Sequence, residues 1–207
     1  MGLCCIFVVS ANAGVVYDNG AGGPEGVDGG FHSDLGVPRI QADDMRLGAS
    51  ATVSAIQWTG WNFSSAPGAD NFTLSIYADD GSGSVGGELA SFAFGDAVNR
   101  TLSDVDRIYE YEALLSYTFD ANVTYWISIV NDTTSDPLNL WAWSGLCYDG
   151  TRDIGPCYAG NSQIFPGLDG NWYTQGLHLD YRFIGVPTPG ALSVFGVASL
   201  IVQRRRR

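Results

Sequence analysis

The chain contains no lysine and only two histidines, His32 and His178. Nucleophilic hydrolases take their general base from histidine, so a serine or cysteine triad is hard to assemble from this inventory. No Gly-x-Ser-x-Gly elbow, His-Glu-x-x-His pair or Gly-rich phosphate loop occurs. Charge is scarce as well: 15% of residues are charged, against about a quarter in ordinary domains. Of the ten basic residues, four are Arg204–Arg207, which leaves six to set against 22 acidic ones. So acidic a body repels a phosphate backbone, which argues against a nucleic-acid partner. Also missing, between Gly14 and Ile184, is any three-turn stretch with the apolar period of an amphipathic helix.

What is present is glycine (27 residues), aromatic residues (13%) and short alternating segments. The 207 residues suffice for one domain plus processing segments. "ATVSAIQWTGWNF" places Val53, Ile56, Trp58 and Trp61 along one long strand, with a phase slip at Ser54–Ala55 that predicts a bulge. In "NFTLSIYAD", Phe72, Leu74 and Ile76 share one face. "ELASFAF" carries Leu89, Phe92 and Phe94, and "RIYEYEALLSYTF" carries Tyr109, Tyr111, Tyr117 and Phe119, with a register break near Leu114–Ser116. Tyr125, Ile127 and Ile129 alternate in "VTYWISIVND", as do Leu177, Leu179, Tyr181 and Phe183 in "GLHLDYRF". Strands at this spacing without crossover helices predict an all-β fold: an antiparallel β-sandwich, jelly-roll-like, with hydrophobic signal helices at the two termini.

Both ends read as signals. Residues 1–13 have an apolar stretch, Leu3–Val9, before Ala11-Asn12-Ala13, which fits a secretory signal peptide cut after Ala13. No basic residue precedes the apolar stretch, so the true start is expected upstream of Met1. The domain is expected over residues 14–185 and the terminal signal over 186–207. In the latter, Val186, Pro187, Thr188, Pro189 and Gly190 form a Pro-x-Pro turn leading into thirteen apolar or small residues, Gly190–Val202. As a helix these span about 20 Å, short of the roughly 20 residues a full crossing needs. The cluster Arg204, Arg205, Arg206 and Arg207 then acts as a stop to transfer.

That order of turn, short Gly-containing helix and terminal arginines resembles the PEP-CTERM sorting signal, with Thr188 where Glu is usual. The resemblance implies an exported protein of a Gram-negative-type bacterium, located at the cell surface or outside the cell. It also implies an exosortase, a membrane-embedded transpeptidase-like enzyme, and the secretion machinery as partners. The C-terminal helix would associate transiently with the membrane. The segments "QADDMRL", "IQWTGW", "FTLSIYADDGSGSVGGELASF", "VTYWISIVND" and "WAW" also look like a recurrent extracellular β-sandwich module of bacterial surface proteins. That second resemblance implies a fold and a location but no catalytic or binding residues.

Cys147 and Cys157 are the cysteines left once the signal peptide, with Cys4 and Cys5, has gone. In an oxidising compartment they are expected to pair, contributing about 3 kcal/mol. Zinc would need both histidines in addition, and His178 lies in a strand pattern. Calcium is the one cofactor the acidic turns offer, at Asp79 and Asp80 in "DDGSG" first and at Asp43 and Asp44 second. The competing reading of such a turn is aspartate capping its own backbone. Glu110 and Glu112 share one strand face, which suits an exposed rib better than the opposed acids of a glycosidase. Of six tryptophans, Trp126 falls opposite Tyr125 and Ile127, while Trp141 and Trp143 share a face, making these three the candidates for holding a glycan. Asn62, Asn71, Asn99, Asn122 and Asn131 begin Asn-x-Ser/Thr triplets, read here as turns entering Thr-rich strands. The expected protein is a non-catalytic structural or adhesive sandwich, with exopolysaccharide as the partner of its surface. A carbohydrate- or calcium-dependent binding module is the alternative, and a secreted hydrolase comes after it.

Overall fold

A computed structural model describes residues 13–19, 27–63, 68–103, 107–146, 163–165, 171–174 and 178–188. These residues contain strands and turns but no helix. One sheet of eight strands contains β1 (Gly14–Asp18), β2 (Val27–His32), β4 (Ala51–Asn62), β7 (Asn99–Leu102), β8 (Ile108–Phe119), β10 (Trp141–Leu146), β13 (His178–Leu179) and β14 (Tyr181–Pro187). The second, of six strands, runs in the order β12 (Tyr173–Thr174), β11 (Gln163–Phe165), β3 (Ile40–Arg46), β9 (Thr124–Asn131), β5 (Phe72–Asp79) and β6 (Val85–Gly95). Every strand ladder is antiparallel, as expected from the sequence. The expected terminal helices, Cys147 and Cys157, and Pro189, Gly190 and Arg204–Arg207 lie outside the described residues. Among the described residues no helix is long and apolar enough to cross a membrane.

Strand β4 organises the larger sheet. It pairs along its whole length with β8 on one side, and on the other with β14 from Ala51 to Trp58 and then with β10 from Gly60 to Asn62. The bulge expected near Ser54 is present: Val53 faces Tyr117 and Ala55 faces Leu114, so Leu115 and Ser116 oppose Ser54 alone. That slip restores the alternation, so that Val53 and then Ile56 and Trp58 all reach the interior.

The core lies between the two sheets and is largely aromatic. Trp58 stacks on Tyr111, its direct cross-strand partner, at 5.3 Å and 9°. Phe72 of the opposite sheet meets Trp58, Tyr111 and Trp141 edge-on at 5.3, 4.9 and 5.0 Å. Such pairs contribute about 0.5–1.5 kcal/mol each beyond their buried area. Leu74, Ile76, Ile127 and Ile129 supply the aliphatic floor from the six-stranded sheet, on the faces their alternation indicated.

One buried carboxylate ties the two sheets where β9 and β10 are joined. Asp34 Oδ1 accepts the Gly36 N–H and the Thr133 hydroxyl, both at 2.7 Å, and Oδ2 accepts the Trp141 N–H at 2.7 Å. Backbone donors that would otherwise be orphaned in the interior are thereby satisfied.

The sheet continues past residue 185, the boundary expected from the Pro-x-Pro motif. Val186 and Pro187 belong to β14 and face Thr52 and Ala51. Thr188 donates both its N–H and its hydroxyl to Ser50 O, at 2.8 Å each. Strand β14 therefore extends two residues past residue 185, and Thr188 is bonded beyond its end. Proline restricts the residue before it to extended conformations, so Val-Pro suits a strand end as well as a turn.

Candidate functional site: the outer face of the eight-stranded sheet

The side chains expected to hold a glycan are inside. Trp141 and Trp143 share a face, as the alternation indicated, but it is the inner face, and both are 0% exposed. Trp126 does lie opposite Tyr125 and Ile127, yet it is 1% exposed, packed with Ala42, Val85, Tyr77 and Trp172 outside the main core. No ring face of these three is presented to solvent, so this expectation is corrected: the period of a strand pairs residues on a face but does not say which face is covered.

The acidic pairs are engaged in the fold itself. Asp79 Oδ1 accepts the Gly81 N–H at 2.8 Å, and its Oδ2 accepts the Trp126 indole N–H at 3.2 Å. Asp80 Oδ1 accepts N–H groups from Ser82 and Ser84, and these bonds hold its carboxyl below the usual range. Gly81 and Gly83 take left-handed φ of 89° and 83° in that turn. Asp43 is wholly buried and accepts the Asn19 amide at 2.6 Å and the Leu179 N–H at 2.7 Å, so it clamps β1, β3 and β13 together. Burial raises its pKa, and Asp43, 3.9 Å from His178 Nδ1, in turn raises that of the imidazole. Asp44 follows Asp43 on β3, opposite Trp126. Among the described residues no three His, Cys, Asp or Glu side chains converge as a metal site.

The polar side chains that do converge on open space lie on the outer face of the eight-stranded sheet. Alternation along β4 sends Ile56 and Trp58 inward, hence Gln57, Thr59 and Trp61 outward. Asn99, Glu112, Gln57, Arg182 and Asp18 stand in register across β7, β8, β4, β14 and β1. Within that row Arg182 Nε donates to Gln57 Oε1 at 2.5 Å, and Gln57 Nε2 donates to Glu112 Oε2. A second row, Thr101, Glu110 and Thr59, runs beside it. Apart from Asp18, the residues of the two rows line a cleft of about 280 Å³. Glu110 and Glu112 share the strand face expected of them and flank Tyr111, whose ring is in the core.

Next along β4 comes an aromatic shelf. Trp61 and Phe63 are near-parallel at 6.2 Å and 7°, and Phe63 stacks on His32 of β2 at 4.8 Å and 19°. Phe63 is 46% exposed. The Arg107 guanidinium lies 6.0 Å from the Trp61 ring centre, and Arg107 itself holds a left-handed φ of 63° while its carbonyl accepts the Asn62 N–H at 3.0 Å. The Trp61 indole nitrogen completes no hydrogen bond among the described residues.

Beneath the junction of shelf and cleft sits Asp180, where β4 exchanges β14 for β10 as its neighbour. Its N–H donates to Ser144 O at 2.9 Å, and its carbonyl accepts the Trp143 indole N–H at 2.9 Å. The carboxylate is 0% exposed, and neither oxygen completes a hydrogen bond among the described residues. Burial pushes its pKa up to about 7.

Of this face, the sequence indicated the glutamates but not Gln57, Arg182, Phe63 or the outward turn of Trp61. The signal was the odd spacing of Trp58 and Trp61, which puts them on opposite faces of one strand.

No protein-family model matches the chain, and no curated protein matches it. Among solved structures it is similar to the cysteine protease and lectin-like domains of Cwp84, a surface layer associated protein of Clostridium difficile. The TM-score is 0.44 and the identity 13%, with 72% of this chain and 32% of that chain covered. The chain thus spans about a third of the length of the structure it matches.

Proposed function

We propose that this chain is an exported, jelly-roll-like β-sandwich of the cell surface or extracellular matrix, adhesive and not catalytic, that holds glycan on the outer face of its eight-stranded sheet. The observation that carries the reading is the adjacency of a polar cleft, built on the Arg182–Gln57–Glu112 chain of hydrogen bonds, and an aromatic shelf of Trp61 and Phe63. Hydroxyl-rich ligands use both kinds of surface: planar donors and acceptors for their hydroxyls, and apolar rings for their C–H faces. Against catalysis stands the placement of Glu110 and Glu112 side by side on one strand, with Glu112 already bonded to Gln57. Export and exosortase processing are supported by the sequence motif Val186-Pro187-Thr188-Pro189-Gly190, the apolar run after it and Arg204–Arg207.

The test of adhesion is retention of the purified chain on isolated extracellular polysaccharide, with the shelf variant Trp61→Ala in parallel. Retention lost in the variant supports the reading, and equal retention removes it. The sorting half is tested separately, by following a chain cut after Thr188 in the producing cells. Release into the medium is expected, and continued residence on the cell would count against the signal.

A further inference from the structure

We infer that the glycan held on this face is an uncharged polysaccharide segment of oligosaccharide length, laid along β4 from the Gln57 row to the Phe63 shelf. The inference rests on the glycan-binding reading above and adds charge class, direction and size to it.

The length follows from the strand. From Gln57 to Phe63 are six residues at about 3.3 Å each, or about 20 Å, which is several sugar units and not one. The rows met on the way change from amide, guanidinium and carboxylate to hydroxyl and carboxylate, and then to aromatic rings. A single monosaccharide could engage the cleft or the shelf but not both.

The charge class follows from what surrounds the path. The chain has no lysine, and the cleft is lined by one cation, Arg182, whose Nε is engaged by Gln57. Gln57 links Arg182 to Glu112, and Asp18 stands beside Arg182 in the same row, so the one cation is matched by carboxylates and the row offers an anion no net positive field. Glu110, in the next row, meets a uronate or sulfate with like charge, and the chain as a whole carries −12. A cationic chain would meet a like charge at Arg182 at one end of the path and at Arg107, over Trp61, at the other. A neutral chain meets neither penalty. It can bond the carboxylates through its hydroxyls, the strong charge-assisted kind of hydrogen bond, and set its ring faces against Phe63, which is already exposed.

The experiment is native affinity electrophoresis of the full chain in gels containing single polysaccharides: neutral (dextran, xylan, galactomannan, mixed-linkage β-glucan), anionic (alginate, heparin) and cationic (chitosan). Retardation by at least one neutral polymer is expected, weakened ten-fold or more in Trp61→Ala and Glu112→Gln and largely restored in Trp61→Phe. Melting curves of the variants separate loss of binding from loss of fold. The matching oligosaccharide series should compete with an affinity that climbs until the chain spans the face, whereas the monosaccharide should not compete. Retardation by only alginate, heparin or chitosan would overturn the charge class while leaving glycan binding in place. Competition by the monosaccharide as strong as by its oligomers would overturn the length, and no retardation in any gel would remove both inferences together.

Discussion

Gln57 of β4 and Glu112 of β8 stand directly opposite each other, and the Gln57 amide donates to the Glu112 carboxylate while its carbonyl oxygen accepts from Arg182. The side chain is thus an uncharged bridge between two opposite charges on the neighbouring strands. Gln57→Leu keeps the shape and removes both bonds. On a partly exposed face this should lower stability by about 1–2 kcal/mol, or about 2–8 °C in melting midpoint. Retention on polysaccharide should drop at least ten-fold, because Arg182 and Glu112 lose the group that fixes their spacing. A variant that melts within this range and binds unchanged would show that the row has no part in recognition.

Stability should fall as pH rises from about 4 to about 7. Asp180 is one cause: its pKa is up to about 7 in the folded chain through burial, so the folded state binds its proton more tightly than the unfolded state does. Raised values at Asp43, through burial, and at His178, through Asp43, act in the same direction, and the His178 contribution disappears as pH passes its folded value. Asp180→Asn removes the Asp180 part of that slope. Its melting midpoint should exceed the parent's at pH 8 and approach it at pH 4, with an upper bound near 4 kcal/mol for the difference. Parallel pH profiles for the two proteins would mean that Asp180 is solvated in the folded state.

Asp34 should be among the least replaceable polar residues. Asp34→Ala leaves the Gly36 and Trp141 N–H groups and the Thr133 hydroxyl without their acceptor in the interior. At about 1–3 kcal/mol for each buried orphan, a loss of 3 kcal/mol or more is expected, seen as a midpoint lowered by about 6–12 °C or as failure to fold. Asp34→Asn retains one carbonyl acceptor and should fall between. Equal melting of Asp34→Ala and the parent would contradict the bonding pattern.

The end of the folded body can be located by truncation. A chain ending at Thr188 keeps the Val186–Thr52 and Pro187–Ala51 pairs and both bonds to Ser50, whereas one ending at Gly185 loses them all. Denaturant unfolding should show the shorter chain weaker by about 1–3 kcal/mol, with the longer one equal to the parent. Equal stability of the two truncations would return the boundary to residue 185.

The strands, the antiparallel arrangement and the bulge at Ser54 were legible because each depends on local spacing. The sign of a face was not. Trp141 and Trp143 alternate as two exposed platforms would, and only their neighbours across the sheet decide that they point inward. The site was hidden for a related reason: Asn99, Glu112, Gln57, Arg182 and Asp18 come from five separate segments, and a cross-strand row exists only after register is fixed. What the sequence did contain was a small residue beside a large one. Gly60 faces Trp143 in register, but the indole lying over it is that of Trp141, two residues away on β10.

Gly60 gives the last prediction. A Cβ at Gly60 would overlap the Trp141 indole, which is fully buried and set edge-on to Phe72 at 5.0 Å and 82°. Gly60 is therefore small because Trp141 occupies the space above it. Gly60→Ala should force the indole from its place at a cost of about 1–3 kcal/mol. Trp141→Leu should cost a similar amount or more by opening a cavity. If one space is shared, the two losses must not add: with the indole gone, the methyl group at residue 60 has room, and the double variant should be more stable than the sum implies by about 1 kcal/mol or more. Chemical denaturation of the four proteins measures that coupling. Strict additivity would mean that Trp141 does not rest on Gly60, and with it would go the inward assignment of the β10 tryptophans that leaves the outer face to Trp61 and Phe63.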